Sequence, residues 1–315
     1  MTIIVRAIIG GVVAAVVLGT AVGAQQRFRS GVDLVNVGVM VMDRQGHFVT
    51  DLTRDDFEIY EEGEKQQVRF FATGDAETEA QNLRLGLLFD TSGSMVDDIR
   101  LARTAAVKFL NTLHEAEDIT LVDFDTEVRV ARYGQNDFPR LVERIRERKP
   151  DGWTALYDAL AIYLDGIHDL DGRKVMVLYT DGGDTRSAVN FSDILTMLKV
   201  SDVTVYTIGF LQHQPQSVRN GQRMRLQQVA EITGGQAYFP HSSRNLDEIY
   251  GKILEQVRAQ YNLGFSSTNA ARDGTWRRIE VRLTDPDRRG LKIRSRQGYF
   301  APLGTMADRR RDLNE

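Results

Sequence analysis

Leu83-Arg84-Leu85-Gly86-Leu87-Leu88-Phe89-Asp90-Thr91-Ser92-Gly93-Ser94-Met95 carries an apolar run straight into a loop of oxygen-bearing side chains. The run has the length and composition of a buried strand. Asp90 ends it, and hydroxyls follow two and four residues later at Ser92 and Ser94, in a turn loosened by Gly93. Hard oxygens from one loop suit a small divalent cation, Mg²⁺ or Mn²⁺, which prefers a roughly octahedral oxygen set. One carboxylate with two neutral hydroxyls leaves such an ion under-neutralised and with an open position, which favours a carboxylate arriving from outside. The chemistry points to binding before catalysis.

Working outward from this loop, strand-like and helix-like patterns alternate to about residue 258. The strand ending at Asp90 is followed by a helix whose apolar face is Ile99, Ala102, Ala106, Phe109, Leu110 and Leu113. Strands are expected over 119–124 and 127–133, a helix over 138–148 stopped by Pro150, and a second helix opening near Thr154. Residues 174–180 form a continuous apolar run, as in a strand covered on both faces. A helix around 194–198, a strand over 203–208, a helix around 226–232, a short strand over 237–239 and a last helix on Leu246, Ile249, Ile253, Leu254 and Val257 complete the series. The expected fold is α/β, a doubly wound, mostly parallel, Rossmann-like sheet.

Both flanks read differently. Residues 32–41 alternate as a strand, Asp43-Arg44-Gln45-Gly46 has turn chemistry, and 57–60 with 67–71 suggest a hairpin split at 61–64. Beyond residue 260, strands are expected over 261–265, 276–283 and 291–294. Neither set supplies enough strands for a core of its own, so the two are expected to pair as one small β-sandwich into which the α/β unit is inserted. Charge agrees: Asp51, Asp55, Asp56, Glu58, Glu61, Glu62 and Glu64 can face Arg277, Arg278, Arg282, Arg288, Arg289, Lys292, Arg294 and Arg296. The division is then 1–24 signal peptide, 25–74 first sandwich part, 75–82 linker, 83–258 α/β domain, 259–302 second sandwich part and 303–315 flexible tail.

The N-terminus carries Arg6, an apolar run over 7–22 and Val22-Gly23-Ala24 ahead of Gln25-Gln26-Arg27, the pattern of an export signal cleaved after Ala24. Export places the chain in the periplasm or outside the cell, membrane-anchored only where that segment is retained. With no cysteine, the fold does without disulfides and the N-terminus has no site for a lipid. A net charge of −4 gives no overall reason to expect nucleic acid.

In open α/β sheets, ligands collect at the carboxyl ends of the strands. Three loops meet there: Asp90 to Ser94, Gly152-Trp153-Thr154, and Thr180-Asp181-Gly182-Gly183-Asp184. At these residues the chain resembles the von Willebrand factor type A domain, whose metal-ion-dependent adhesion site is Asp-x-Ser-x-Ser, then Thr, then Asp, from three loops. The resemblance covers 83 to about 258, and all five positions are filled. It implies Ser92, Ser94 and Thr154 as direct ligands, with Asp90 and Asp181 binding directly or through metal-bound water. Asp97 and Asp98 stand at a spacing similar to the adjacent calcium site of integrin β subunits, although acidic residues also suit a first helical turn. With its flanks and signal, the whole chain resembles secreted bacterial proteins of this family from Acidobacteria.

Enzymatic readings fare worse. A haloacid-dehalogenase-type phosphatase also places an Asp at the end of such a strand with Mg²⁺ nearby, but needs a second acid two residues on, and position 92 is Ser. There is no phosphate-binding Gly-rich loop, and His47, His114, His168, His213 and His241 lie singly without zinc spacing. The sequence therefore reads as an exported, non-enzymatic adhesion or assembly module. Its Mg²⁺ or Mn²⁺ awaits an Asp or Glu of a protein partner, and a second Ca²⁺ at Asp97 and Asp98 is the lesser expectation. The different-class alternative is a structural envelope component whose metal only stabilises the loops. Whether 212–225 forms a lid over the site is a question the sequence leaves open.

Overall fold

The computed structural model describes residues 34–74, 83–112, 116–168, 170, 172–285 and 290–303. The expected signal peptide, the linker 75–82 and the tail beyond Leu303 lie outside these residues.

The chain opens with β1 (Val35–Met42), β2 (Phe57–Glu61), β3 (Glu64–Gln66) and β4 (Val68–Ala72). The expected hairpin exists with a different partner. β2 pairs with β3, not with the strand after it, across a two-residue loop in which Glu62 and Gly63 have φ of 48° and 91°. Positive φ at both positions matches the twist of paired strands, and Gly63 adopts it without strain. At Gln67 the chain changes sheets, and β4 pairs with a strand nearly two hundred residues later.

The α/β unit then runs β5 (Leu83–Asp90), α1 (Ile99–Thr112), β6 (Ala116–Phe124), β7 (Val128–Gly134), α2 (Phe138–Glu147), α3 (Leu156–Ile167), β8 (Arg173–Thr180), α4 (Phe191–Val200), β9 (Thr204–Gly209), α5 (Gln216–Glu231), β10 (Ala237–Tyr238) and α6 (Ser243–Ala259). Its six strands lie in the order β10-β9-β8-β5-β6-β7, with only β7 antiparallel. Residues of α1, α2 and α6 pack on one face, and those of α3, α4 and α5 on the other. β5 is central: Leu83, Leu85, Leu87 and Phe89 enter the first core, and Leu88 the second. On that second face Gly86 lies directly beneath the Tyr163 ring of α3, where a β-carbon has no room.

α5 begins ten residues before the expected helix. Its only buried residues are Gln222, Leu226, Val229 and Ala230, so its first half has no apolar period to read.

The return strands are β11 (Tyr261–Phe265), β12 (Trp276–Leu283), β13 (Lys292–Ser295) and β14 (Gly298–Phe300), the last of them unforeseen. They interleave with the first four into sheets of order β13-β1-β11-β4 and β14-β12-β2-β3. Val37, Val39, Ile59, Leu263, Phe265, Ile279 and Val281 belong to the core between them. The sandwich is thus built from both ends of the chain. One of the expected charge pairs is internal: Arg277 and Glu61 are each 3% exposed, with Nη1 to Oε1 at 3.4 Å. Arg277 also donates to Ser267 Oγ and the Asn269 carbonyl at 2.9 and 2.8 Å. Elsewhere β12 alternates as expected, with Arg278, Glu280 and Arg282 facing solvent.

Candidate metal site

Asp90 ends β5 and Asp181 follows β8, and these two strands are neighbours in parallel register. From β5 the chain moves outward to β6, and from β8 it moves the other way to β9, so both carboxylates sit where the strand order reverses. A crevice opens at such a point because the flanking connections diverge.

Backbone bonds join the three loops before any ligand is considered. Gly93 N–H donates to the Gly152 carbonyl at 3.1 Å and Asp151 N–H to the Thr91 carbonyl at 3.0 Å, tying the first loop to the second. Gly152 makes its turn at φ 74°, a region that suits glycine. Thr185 and Arg186 N–H both donate to the Thr154 carbonyl, and Thr154 N–H donates to Thr185 Oγ1 at 2.9 Å, tying the second loop to the third. Asp184 ties the third loop to α3: its Oδ1 accepts from Tyr157 N–H at 3.1 Å at the start of that helix.

The five expected residues converge on this edge. Asp90 and Ser92 are fully buried, Asp181 is 1% and Thr154 4% exposed, and Ser94 faces solvent. Asp90 Oδ1 accepts from Ser92 N–H at 2.9 Å and from Ser92 Oγ at 2.6 Å, and its Oδ2 accepts from Thr180 Oγ1 at 2.6 Å. Ser94 Oγ lies 3.2 Å from Ser92 Oγ. α3 starts at Leu156, so Thr154 stands two residues before the helix instead of opening it. Burial, then the negative charge of Asp181, pushes the Asp90 carboxyl up from 3.8 to about 7, against the hydrogen bonds from Ser92 and Thr180.

This donor set fits a hard divalent cation. Two buried carboxylates oppose one another electrostatically, and three hydroxyls stand beside them, Ser92 and Ser94 from the first loop and Thr154 from the second. Among the described residues no group of three or more His, Cys, Asp or Glu side chains forms a closed metal cage. Two acids with hydroxyls make an open site instead, whose protein ligands supply no more negative charge than a divalent ion carries.

The adjacent pair behaves differently. Asp97 is exposed, whereas Asp98 is 4% exposed and its Oδ1 lies 3.1 Å from His213 Nδ1. That hydrogen bond raises the imidazole's pKa from its ordinary 6.5. Asp98 thus already has a histidine partner, while Asp97 stands exposed next to it in sequence. Trp153, in the second loop beside Thr154, is 64% exposed.

Sequence reading missed two contacts. Thr180 lies beside Asp90, a placement that follows once β5 and β8 are neighbours. Gln214 Nε2 donates to Asp181 Oδ2 at 2.8 Å, and nothing in a lone loop glutamine signals it. In the segment 212–225 only residues 212–215 are loop, the rest being the opening of α5, and it is the loop part that touches the site.

A family model described as the von Willebrand factor type A domain matches residues 85–252, just over half of the 315 residues. The chain belongs to the von Willebrand factor type A family. Similar solved structures include a von Willebrand factor type A protein from Catenulispora acidiphila, 14% identical over 82% of this chain and 76% of that one, with a TM-score of 0.48. The vWF domain of the type V pili tip protein Mfa5 from Porphyromonas gingivalis is 12% identical over 57% of this chain and 97% of that one, at 0.46. The pilus adhesin SpaC from Lactobacillus rhamnosus GG is 10% identical over 84% and 48%, at 0.48. No curated protein matches the chain. At these identities and scores the likenesses add nothing to what the family model carries.

Proposed function

We propose that this von Willebrand factor type A protein is an exported, cation-dependent protein-binding module that captures an Asp or Glu side chain of its partner. Ser92, Ser94 and Thr154 would hold Mg²⁺ or Mn²⁺ together with Asp90 and Asp181. When bound, the ion supplies a hard positive charge that attracts an anionic oxygen. The family supports an interaction module over an enzyme. Export rests on the N-terminal sequence pattern, and among the described residues no helix is long and apolar enough to cross a membrane.

One observation carries the reading. Asp90 is fully buried beside a second carboxylate, and its pKa near 7 marks a site that is electrostatically incomplete. Capping of the following turn does not account for it, because Ser92 makes no side-chain capping bond there and instead donates to Asp90. A purely structural metal is less well supported, since backbone bonds already join all three loops.

The test is a calorimetric titration of Mg²⁺ and Mn²⁺ into wild type and Asp90→Ala, followed by partner capture from an envelope extract with and without EDTA. Binding and capture are expected in wild type and lost in the variant and in EDTA. Capture unchanged by Asp90→Ala and by chelation, with only the melting temperature lowered, refutes the binding role and leaves the structural one.

A further inference from the structure

Asp181 is held from two sides. Its Oδ1 accepts from Gly183 N–H at 2.8 Å within its own loop, and its Oδ2 accepts from Gln214 Nε2 at 2.8 Å. The second donor comes from residues 210–215, a strap that leaves β9 and leads into α5. β9 is separated from β5 by β8, yet the strap also reaches the chain after β5, where His213 Nδ1 lies 3.1 Å from Asp98 Oδ1. It therefore spans the carboxyl edge of the sheet from the third loop to the start of α1.

The strap's position does not depend on Gln214. Phe210 and Leu211 are buried, and Phe210 N–H donates to the Thr180 carbonyl at 2.9 Å. From the first turn of α5, Arg219 Nη2 donates to the carbonyls of Gln212 and Gln214 at 3.2 and 2.9 Å. An amide fixed in this way presents its N–H to Asp181 at a set place. Each carboxylate oxygen accepts at about two lone-pair sites, so one donor on each oxygen of Asp181 still leaves room for an ion or its water. Donors behind a ligating carboxylate fix its rotation and are worth roughly 10–100-fold in metal affinity.

We propose that Gln214 is a positioning residue of the cation site, and that the strap 210–215 is the site's fourth loop. The inference rests on the reading of the other three loops as a cation site. It also has an opposite: an amide that competes with the cation for Asp181 would make removal of Gln214 tighten binding.

Mn²⁺ titrated calorimetrically into the full chain decides between them. Gln214→Met keeps the length and loses the donor, whereas Gln214→Asn keeps the donor and withdraws it by one methylene. Both variants are expected to bind Mn²⁺ about 10–100-fold more weakly than wild type, with metal-free melting temperatures within about 2 °C of it. Equal or tighter binding in the variants overturns the proposal. So does weaker binding matched by a large fall in metal-free melting temperature, which would mark a merely structural role. A wild type that takes up no Mn²⁺ overturns the cation reading itself, and this inference with it.

Discussion

Asp90→Asn is expected to stabilise the metal-free protein while abolishing its response to Mg²⁺. The unfolded chain ionises this carboxyl near 3.8, but in the fold burial and Asp181 move it to about 7. Between those values the folded state keeps a proton that the unfolded state has lost. Stability therefore declines as pH rises from about 4 to about 7, and is level for this group above that. At about 1.4 kcal/mol per pKa unit, the interval amounts to about 4 kcal/mol at pH 8. Asparagine carries no charge to bury and suits the same neighbours. Its Oδ1 can accept from Ser92 N–H and Oγ, and its Nδ2 can donate to Thr180 Oγ1, which now donates to Asp90. In EDTA at pH 8 the variant should melt roughly 8–12 °C above wild type for a domain of this size, with the gap closing toward pH 4. Saturating Mg²⁺ should narrow the gap from the other side, adding about 2.7 kcal/mol to wild type at a hundredfold excess over Kd and nothing to the variant. Thermal melts at pH 5 and pH 8, with EDTA or Mg²⁺, read all four conditions. A variant that melts at or below wild type in EDTA at pH 8 refutes the argument.

Other substitutions test the site and the scaffold separately. Thr154→Ala removes a hydroxyl while leaving the backbone bonds to Thr185 and Arg186, so calorimetry should show weakened Mn²⁺ binding with metal-free stability within about 0.5 kcal/mol of wild type. Arg277→Met strands Glu61 in the sandwich and should cost about 3–5 kcal/mol in urea unfolding, most of it returned by the double variant Glu61→Met/Arg277→Met. If the double variant is no more stable than the single one, the buried charge is not the cause. Gly86→Ala drives a methyl into the Tyr163 ring and should cost about 1–3 kcal/mol, and an unchanged denaturation midpoint would show that α3 shifts freely.

The α/β unit was legible because its signals are local. β5 and β8 are apolar runs ended by aspartates, and α1 shows a clean apolar stripe. The five candidate ligands were legible for the same reason, since each stands where a strand or a helix meets a loop. Non-local pairing hid the rest. Nothing near Val68 says that β4 belongs with β11, and β14 is too short to announce itself. Gln214 reaches Asp181 only because β9 lies beside β8 and the strap runs back over both. Arg277 stands in a run of arginines expected to meet the acids of the first strands, but only the alternation that exposes Arg278 shows that its neighbour turns inward.

The interleaved sandwich also sets an order of events for folding. β1 finds its partner strands far along the chain, Val35 with Phe265 and Val39 with Tyr261 and Ser295, and only its end, at Met42, bridges to nearby Phe48. Until the last strands have been made, β1 and β4 remain unpaired edges, the kind of surface on which chains aggregate. Closing so long a loop from an open chain is slow, because the entropy is lost before the contacts form. If the α/β unit folds first, the distance to be searched collapses. Its beginning and end then deliver β4 and β11 to one another, and the binding domain serves as the jig on which its own support is assembled.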